Sequence, residues 1–301
     1  MRAPARVGGQ ALGNGVMLRA GSTVAVATRR PDGTIQARSW SQHRRTTRFD
    51  SVPVLRIITN LGAAMAGSAR ALTVARRTRR GGFNRLARLA AFAAFFVLVE
   101  VFATFLWDRL QPTASYGGAL RSAAVQVLAL VGALFVARVS PYGKRLFTYH
   151  GAEHQTVMAF ELGLDASTHP EVVARLPRVH PRCGTHLVLW LCLVAGALQV
   201  VQHGPLADTG VQLAVLLMSV GVVAEALRQA GNRQSWWARA LRAPGSALQH
   251  LTTRQAGPAE CEVALAALRE LFPIPTFLAS LPRDAGIAAA CTSASAPSSS
   301  S

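Results

Sequence analysis

The stretch 146–162 reads LFTYHGAEHQTVMAFEL and carries two histidines and a glutamate within little more than one helical turn. His150, Glu153 and His154 are spaced i, i+3 and i+4, and these offsets place side chains on one face of an α-helix. Gly163 follows directly, which is typical of a helix C-terminus. The pattern therefore predicts a helix over 146–162 with these three side chains on a shared polar face.

The same three side chains suit a metal site. Two imidazoles four residues apart can bind one cation through their ring nitrogens. The order His-x-x-Glu-His is the inverted form of the zinc-hydrolase motif, in which the glutamate activates water. We expect His150 and His154 to bind a divalent metal, with zinc the first candidate, and Glu153 to be the catalytic base. The alternative is a polar helix face of hydrogen-bonded histidine and glutamate without a metal.

A second group of candidate ligands, in His180-Pro-Arg-Cys-Gly184, follows 26 residues after His154. Pro181 favours the first turn of a helix, which places His180 near the N-cap. Cys183 then lies where the helix dipole favours a thiolate. We expect His180 and Cys183 to complete the metal shell. A helix cap with an inert thiol and a cysteine nucleophile with a histidine base are the alternatives.

The composition is typical of a membrane protein. Half of the residues are apolar, the mean hydropathy is +0.27 and the net charge is +18. Four apolar segments approach the length that spans a bilayer. They are 89–107, 122–137, 185–201 and 209–227. We therefore expect a mainly α, polytopic membrane protein with about four transmembrane helices.

Arginine is distributed unevenly between the connections of these segments. Residues 1–88 carry 17 arginines and 108–121 carry two, whereas 138–186 carries six basic residues, 202–208 none and the chain from 228 onward seven. Cytoplasmic loops of membrane proteins are enriched in arginine and lysine. The pattern predicts that both termini and the loop with the two ligand groups lie on the cytoplasmic side.

The chain divides into five expected segments. Two strand-like runs, 22–28 and 34–38, predict a small cytoplasmic β-hairpin, and 259–272 predicts a cytoplasmic C-terminal helix. The expected segments are 1–52, glycine-rich with the β-hairpin; 53–80, an amphipathic or re-entrant helix and a basic run; 88–228, the membrane domain with the motif loop 138–186; 229–283, a cytoplasmic C-terminal segment; and 284–301, a disordered tail.

Four motifs resemble one known family. They are GGQALGNGVMLR at 8–19, YHGAEHQT at 149–156, RVHPRCGT at 178–185 and PGSALQHLTTR at 244–254. On these motifs the chain resembles the YqhQ-like family of bacterial membrane proteins, a domain of unknown function often described as a predicted metal-dependent enzyme. The chain departs from the family pattern at Asn14, where the family has an acidic residue, and at Gln155, where it has lysine.

The resemblance implies a multi-pass protein of the bacterial cytoplasmic (inner) membrane whose polar motifs face the cytoplasm. By motif position it adds Glu161, Arg182 and Glu225 to the candidate site as supporting residues. Arg228 follows Glu225 by three residues, so an ion pair between them is the alternative to a role in the site.

Two functions are expected. The first is a membrane-embedded metal-dependent enzyme, a hydrolase with its site at the cytoplasmic face. The alternative is a non-catalytic inner-membrane accessory protein that binds lipid, a membrane partner or the translocation or ribosomal machinery. The expected partners are the lipid bilayer and a membrane protein or a second copy of the chain, whereas nucleic acid is not expected.

Overall fold

The computed structural model describes residues 7–42, 51, 116–164, 168–198, 209–231 and 233–272, together with isolated positions between 67 and 105. The first predicted membrane segment, 89–107, lies largely outside these residues. Most of 53–80 and the whole of the tail 284–301 lie outside them as well.

An antiparallel sheet of four strands forms the N-terminal part of the described chain. The strands are β1 (Val7–Leu12), β2 (Gly15–Ala20), β3 (Thr23–Arg29) and β4 (Ile35–Ser41), in the order β1-β2-β3-β4. The predicted hairpin corresponds to β3 and β4, which are joined by a turn with Gly33 at a φ of 86°. The segment 7–20, expected only to be glycine-rich, forms a second hairpin from β1 and β2.

The two faces of the sheet are buried by different parts of the chain. Val16, Leu18, Ala25 and Ala27 pack in the main core with two helices. Residues of opposite parity, such as Met17, point to the other face. This alternation follows from the two-residue period of a strand.

Seven helices follow in the described residues from 116 onward. They are α1 (Tyr116–Val139), α2 (Pro141–Glu161), α3 (Pro170–Val173), α4 (Thr185–Leu198), α5 (Thr209–Ala230), α6 (Trp236–Thr252) and α7 (Pro258–Leu271). Ser140 ends α1 and begins α2, because its Oγ accepts the Gly143 N–H at 3.0 Å and Pro141 occupies the first helical position. The predicted helix over 146–162 and the predicted C-terminal helix are thus confirmed as parts of α2 and α7.

Helix α2 connects two hydrophobic cores. Its second half packs with the sheet and α7, where Phe160 stacks on Phe272 with ring centroids 5.0 Å apart. Its first half contributes Phe147 to a core with α1, α4 and α6 that includes Leu189 and Leu248. Three of the predicted site residues, His150, Glu153 and His154, lie on α2 where these two cores meet.

The prediction of a polytopic protein with about four transmembrane helices is wrong for the described residues, in which no single helix is both long and apolar enough to cross a bilayer. Residues Ala124–Val139 together with α2 meet the length and composition requirements only as a pair bent by 97°. The second predicted span, 122–137, lies within α1, which ends before Pro141, and the described part of α4 has 14 residues where about 20 are needed. The described chain is mostly helical with an N-terminal sheet.

Candidate metal centre

Six of the predicted site residues line a cavity of about 400 Å³: His150, Glu153, His154, His180, Arg182 and Cys183. One wall is α2, which contributes His150, Glu153 and His154. The second wall is the segment 180–185, which leads into α4, and the third is β1 through residues 7–11. Three parts of the chain that are distant in sequence therefore meet at the predicted motif.

Backbone carbonyl groups fix the orientation of both α2 histidines. His150 Nδ1 lies 2.8 Å from the Thr252 carbonyl oxygen, and His154 Nδ1 lies 2.6 Å from that of Arg178. A carbonyl oxygen only accepts hydrogen bonds, so each Nδ1 carries the proton and donates it. In the neutral tautomer with the proton on Nδ1, the lone pair lies on Nε2, which is the arrangement that metal-binding histidines adopt.

Cys183 lies opposite the two imidazoles. Its Sγ is 3.4 Å from His150 Nε2, and the ligand atoms of His150, His154 and Cys183 all lie within 4.8 Å of one another. Tetrahedral zinc, with Zn–N of about 2.0–2.1 Å and Zn–S of about 2.3 Å, separates its ligands by roughly 3.3–3.6 Å. These three residues could therefore hold a metal ion after small side-chain movements.

The protonation of His154 also suits a ligand. Burial lowers the pKa of His154, while its hydrogen bond to Cys183 acts in the opposite direction. A lowered pKa keeps the imidazole neutral, as metal binding requires.

Glu153 is almost completely buried beside the three ligands. Its Oε2 lies 4.0 Å from His150 Nε2 and 3.8 Å from His154 Nε2. Burial raises the pKa of the Glu153 carboxyl, while nearby His150 and His180 act in the opposite direction. A raised pKa brings a carboxyl group nearer to the range in which it exchanges protons at neutral pH.

Strand β1 covers this carboxyl group. A Cβ atom on Gly9 would lie 2.7 Å from both Cγ and Oε1 of Glu153 and 2.8 Å from Leu18 Cδ2. Only glycine fits at this position without displacing a neighbour. The glycine-rich N-terminal motif is therefore part of the site.

His180 lies in the wall of the cavity but outside the group of three ligands. Its Nε2 is 3.4 Å from Glu161, and its Nδ1 accepts the Arg182 backbone N–H at 3.4 Å. The Arg182 side chain forms an ion pair with Glu161 and also lines the cavity. Both ring nitrogens of His180 thus have partners within the protein, and Glu161 and Arg182 lie around them.

Glu225 and Arg228 form an ion pair with each other on α5. Arg228 Nε donates to Oε1 and Oε2 of Glu225 at 3.1 and 3.0 Å. Neither residue is among those that line the cavity. The structure thus shows the ion pair that sequence analysis gave as the alternative.

Sequence reasoning missed the side chain that holds the loop at His180. Gln249 is fully buried, its Oε1 accepts the His180 N–H at 2.8 Å, and its Nε2 donates to the His180 carbonyl at 3.0 Å. His186 donates from Nδ1 to the Cys183 carbonyl at 2.8 Å. The motif at 244–254 was the available signal, but an uncharged glutamine gave no chemical reason to single it out.

Fold and site together define a mostly helical protein with an N-terminal antiparallel sheet and a His–His–Cys group that could hold a metal. The chain belongs to the family described as "Protein of unknown function (DUF1385)", whose family model matches residues 52–273. It is 25% identical over 298 residues to the uncharacterized protein YqhQ of Bacillus subtilis (strain 168), with 90% of this chain and 93% of the relative covered. The predicted YqhQ-like family is therefore confirmed. No solved structure matches the chain.

Proposed function

We propose that this protein is a metal-dependent hydrolase whose metal is held by His150, His154 and Cys183 and whose general base is Glu153. The observation that carries the proposal is the convergence of two correctly oriented Nε2 atoms and one thiol beside a buried carboxyl group. Two imidazoles and one thiolate form a ligand set suited to zinc. Three protein ligands leave a fourth position open, as in catalytic rather than structural zinc sites.

A cation held there would polarise a substrate carbonyl or phosphoryl oxygen and lower the pKa of water. Glu153 lies within 4.0 Å of both Nε2 atoms, so its carboxylate is placed to accept a proton from the attacking water. The same oxygen can then deliver the proton to the leaving group. Arg182 also lines the cavity, where its side chain is held in an ion pair with Glu161.

Metal analysis tests the site directly. We expect the purified protein to bind about one zinc ion per chain and His154→Ala to lower zinc affinity at least tenfold. His169→Ala is the matched control, because His169 is exposed and lies outside the ligand group. Equal zinc affinity in the wild type and His154→Ala would remove the metal site from the proposal.

We also propose that the protein contacts a lipid bilayer, as expected for a protein located at the bacterial cytoplasmic membrane. Large apolar side chains are exposed on α1 and α5, and an exposed apolar surface of this kind is typical of an interaction site. The net charge of +18 would add attraction to anionic headgroups. These side chains are Leu128, Phe135 and Val139 on α1 and Leu217, Met218 and Val222 on α5.

Vesicle binding tests this second proposal. We expect the protein to co-sediment with vesicles of phosphatidylglycerol and phosphatidylcholine, and the double variant Phe135→Asp, Val139→Asp to bind at least tenfold more weakly. Val172→Asp is the control, because Val172 is an exposed apolar residue on α3. If the double variant and Val172→Asp bind vesicles equally well, the α1 surface is not the lipid contact.

A further inference from the structure

We propose that the edge of β1 with which no described strand pairs binds the substrate of this site as an extended peptide. The inference rests on the hydrolase function proposed above and names the class of molecule that the hydrolase would cleave. Among the described strands, β1 pairs only with β2, so one edge of the sheet ends at β1. Such an edge presents backbone N–H and C=O groups that can pair with another extended chain.

This edge faces the site. Residues 7–11 line the cavity as an unbroken run, together with His150, Glu153 and Cys183. The side chains of successive strand residues point to opposite faces of a sheet. Because residues of both faces line the cavity, the strand presents its backbone edge to it. The opposite edge strand, β4, contributes no residue to this cavity.

The β1 side chains leave this backbone accessible. A Cβ atom on Gly8 would meet no atom within 4 Å, so there is open space beside it. Gly9 brings the strand against the Glu153 carboxyl group. A peptide paired with β1 would therefore pass next to the proposed general base.

The size and lining of the cavity suit a short peptide segment. A volume of about 400 Å³ lies within the usual range for ligand sites. Leu146, Phe147 and Val157 provide apolar walls for the side chains of the peptide. Pairing along a strand edge supplies affinity through main-chain hydrogen bonds, while such walls select side chains.

The reaction that follows from this placement is peptide-bond hydrolysis. Water adds to the carbonyl carbon, the C–N bond breaks, and the proton taken up by Glu153 passes to the departing amine nitrogen. The products are a free carboxylate and a free amine, so no further reactant is needed.

Metal-directed probes test the inference. With the full-length zinc-loaded protein, we expect acetyl-Ala-Leu-Ala hydroxamate to bind at least tenfold more tightly than acetohydroxamate. An analogue methylated at every amide nitrogen should lose this gain, because it cannot donate hydrogen bonds to the strand. Hydrogen exchange should show new protection in Val7–Leu12 on binding of the tripeptide, and none in Ile35–Ser41 at the other sheet edge.

The outcomes distinguish a failure of the peptide inference from a failure of the proposed metal site. If zinc and acetohydroxamate bind but the tripeptide adds no affinity, the peptide inference is wrong and the metal site stands. A gain in affinity without protection of β1, or with protection of β4, also overturns pairing with β1. If zinc itself does not bind, the proposed function fails and the inference fails with it.

Discussion

Replacing Gly9 by alanine tests the contact between the N-terminal sheet and the site. The new methyl group would lie 2.7 Å from Cγ and Oε1 of Glu153 and 2.8 Å from Leu18 Cδ2. Carbon atoms in van der Waals contact are about 3.5–4.0 Å apart. Leu18 has no exposed surface and Glu153 only 6%, so the clash can be relieved only by turning Glu153 toward the cavity that it lines.

Overpacking of this kind costs about 1–3 kcal/mol. We therefore expect Gly9→Ala to lower the free energy of unfolding by about 1–3 kcal/mol, measured by urea denaturation followed by circular dichroism. Displacement of Glu153 should also lower the rate of hydrolysis, while zinc affinity changes less because the three ligands are untouched.

Gly8→Ala is the matched control in the same strand. A Cβ atom on Gly8 would meet nothing within 4 Å. Gly8→Ala therefore lowers the backbone entropy of the unfolded chain as Gly9→Ala does, but introduces no clash. We expect its free energy of unfolding to stay within about 0.5 kcal/mol of the wild type. If the two variants have the same stability, β1 does not pack on Glu153 as described.

Three further results are expected. Glu153→Gln should keep zinc affinity within a few fold and lower the rate of hydrolysis at least 100-fold, as general-base catalysis typically contributes; a variant with unchanged rate would exclude Glu153 as the base. Gln249→Leu should lower the free energy of unfolding by about 2–4 kcal/mol in denaturation, because it leaves the buried backbone N–H and C=O of His180 without their partner; a change below about 1 kcal/mol would contradict the described loop contact. Burial raises the pKa of Cys261 to about 12, so roughly one thiol in 10⁴ is ionised at pH 8, and mass spectrometry should show iodoacetamide labelling of Cys261 only after unfolding. Cys183 is partly exposed, so iodoacetamide should label it in the folded protein without metal. Zinc should slow this labelling. If zinc has no effect on the labelling rate, Cys183 is not a ligand.

The local pattern of the chain predicted several elements correctly. The spacing of His150, Glu153 and His154 predicted the helix that carries them, because the helical period is a property of neighbouring residues. The start of α2 was predicted at 146, although Ser140 and Pro141 form an N-cap signal that begins the helix there. The hairpin of β3 and β4 was predicted because two strand-like runs flank the turn signal Arg30-Pro-Asp-Gly33.

The membrane prediction shows where composition misleads. Hydropathy averaged along a segment does not register a helix end such as Ser140 and Pro141, where the chain bends by 97° between Ala124–Val139 and α2. The glycines at 8 and 9 concealed β1, since glycine has low strand propensity.

By itself, the sequence determined the family, the helix with two histidines and a glutamate on one face, and Cys183 as a further candidate ligand. Only the tertiary structure brought the Thr252 and Arg178 carbonyls to the two Nδ1 atoms, placed Cys183 beside them and separated His180 from the ligand group. It also laid β1 over a glutamate that lies more than 140 residues later in the chain. Helical periodicity depends on residues three or four positions apart, whereas these contacts depend on how distant segments pack, which no local pattern encodes.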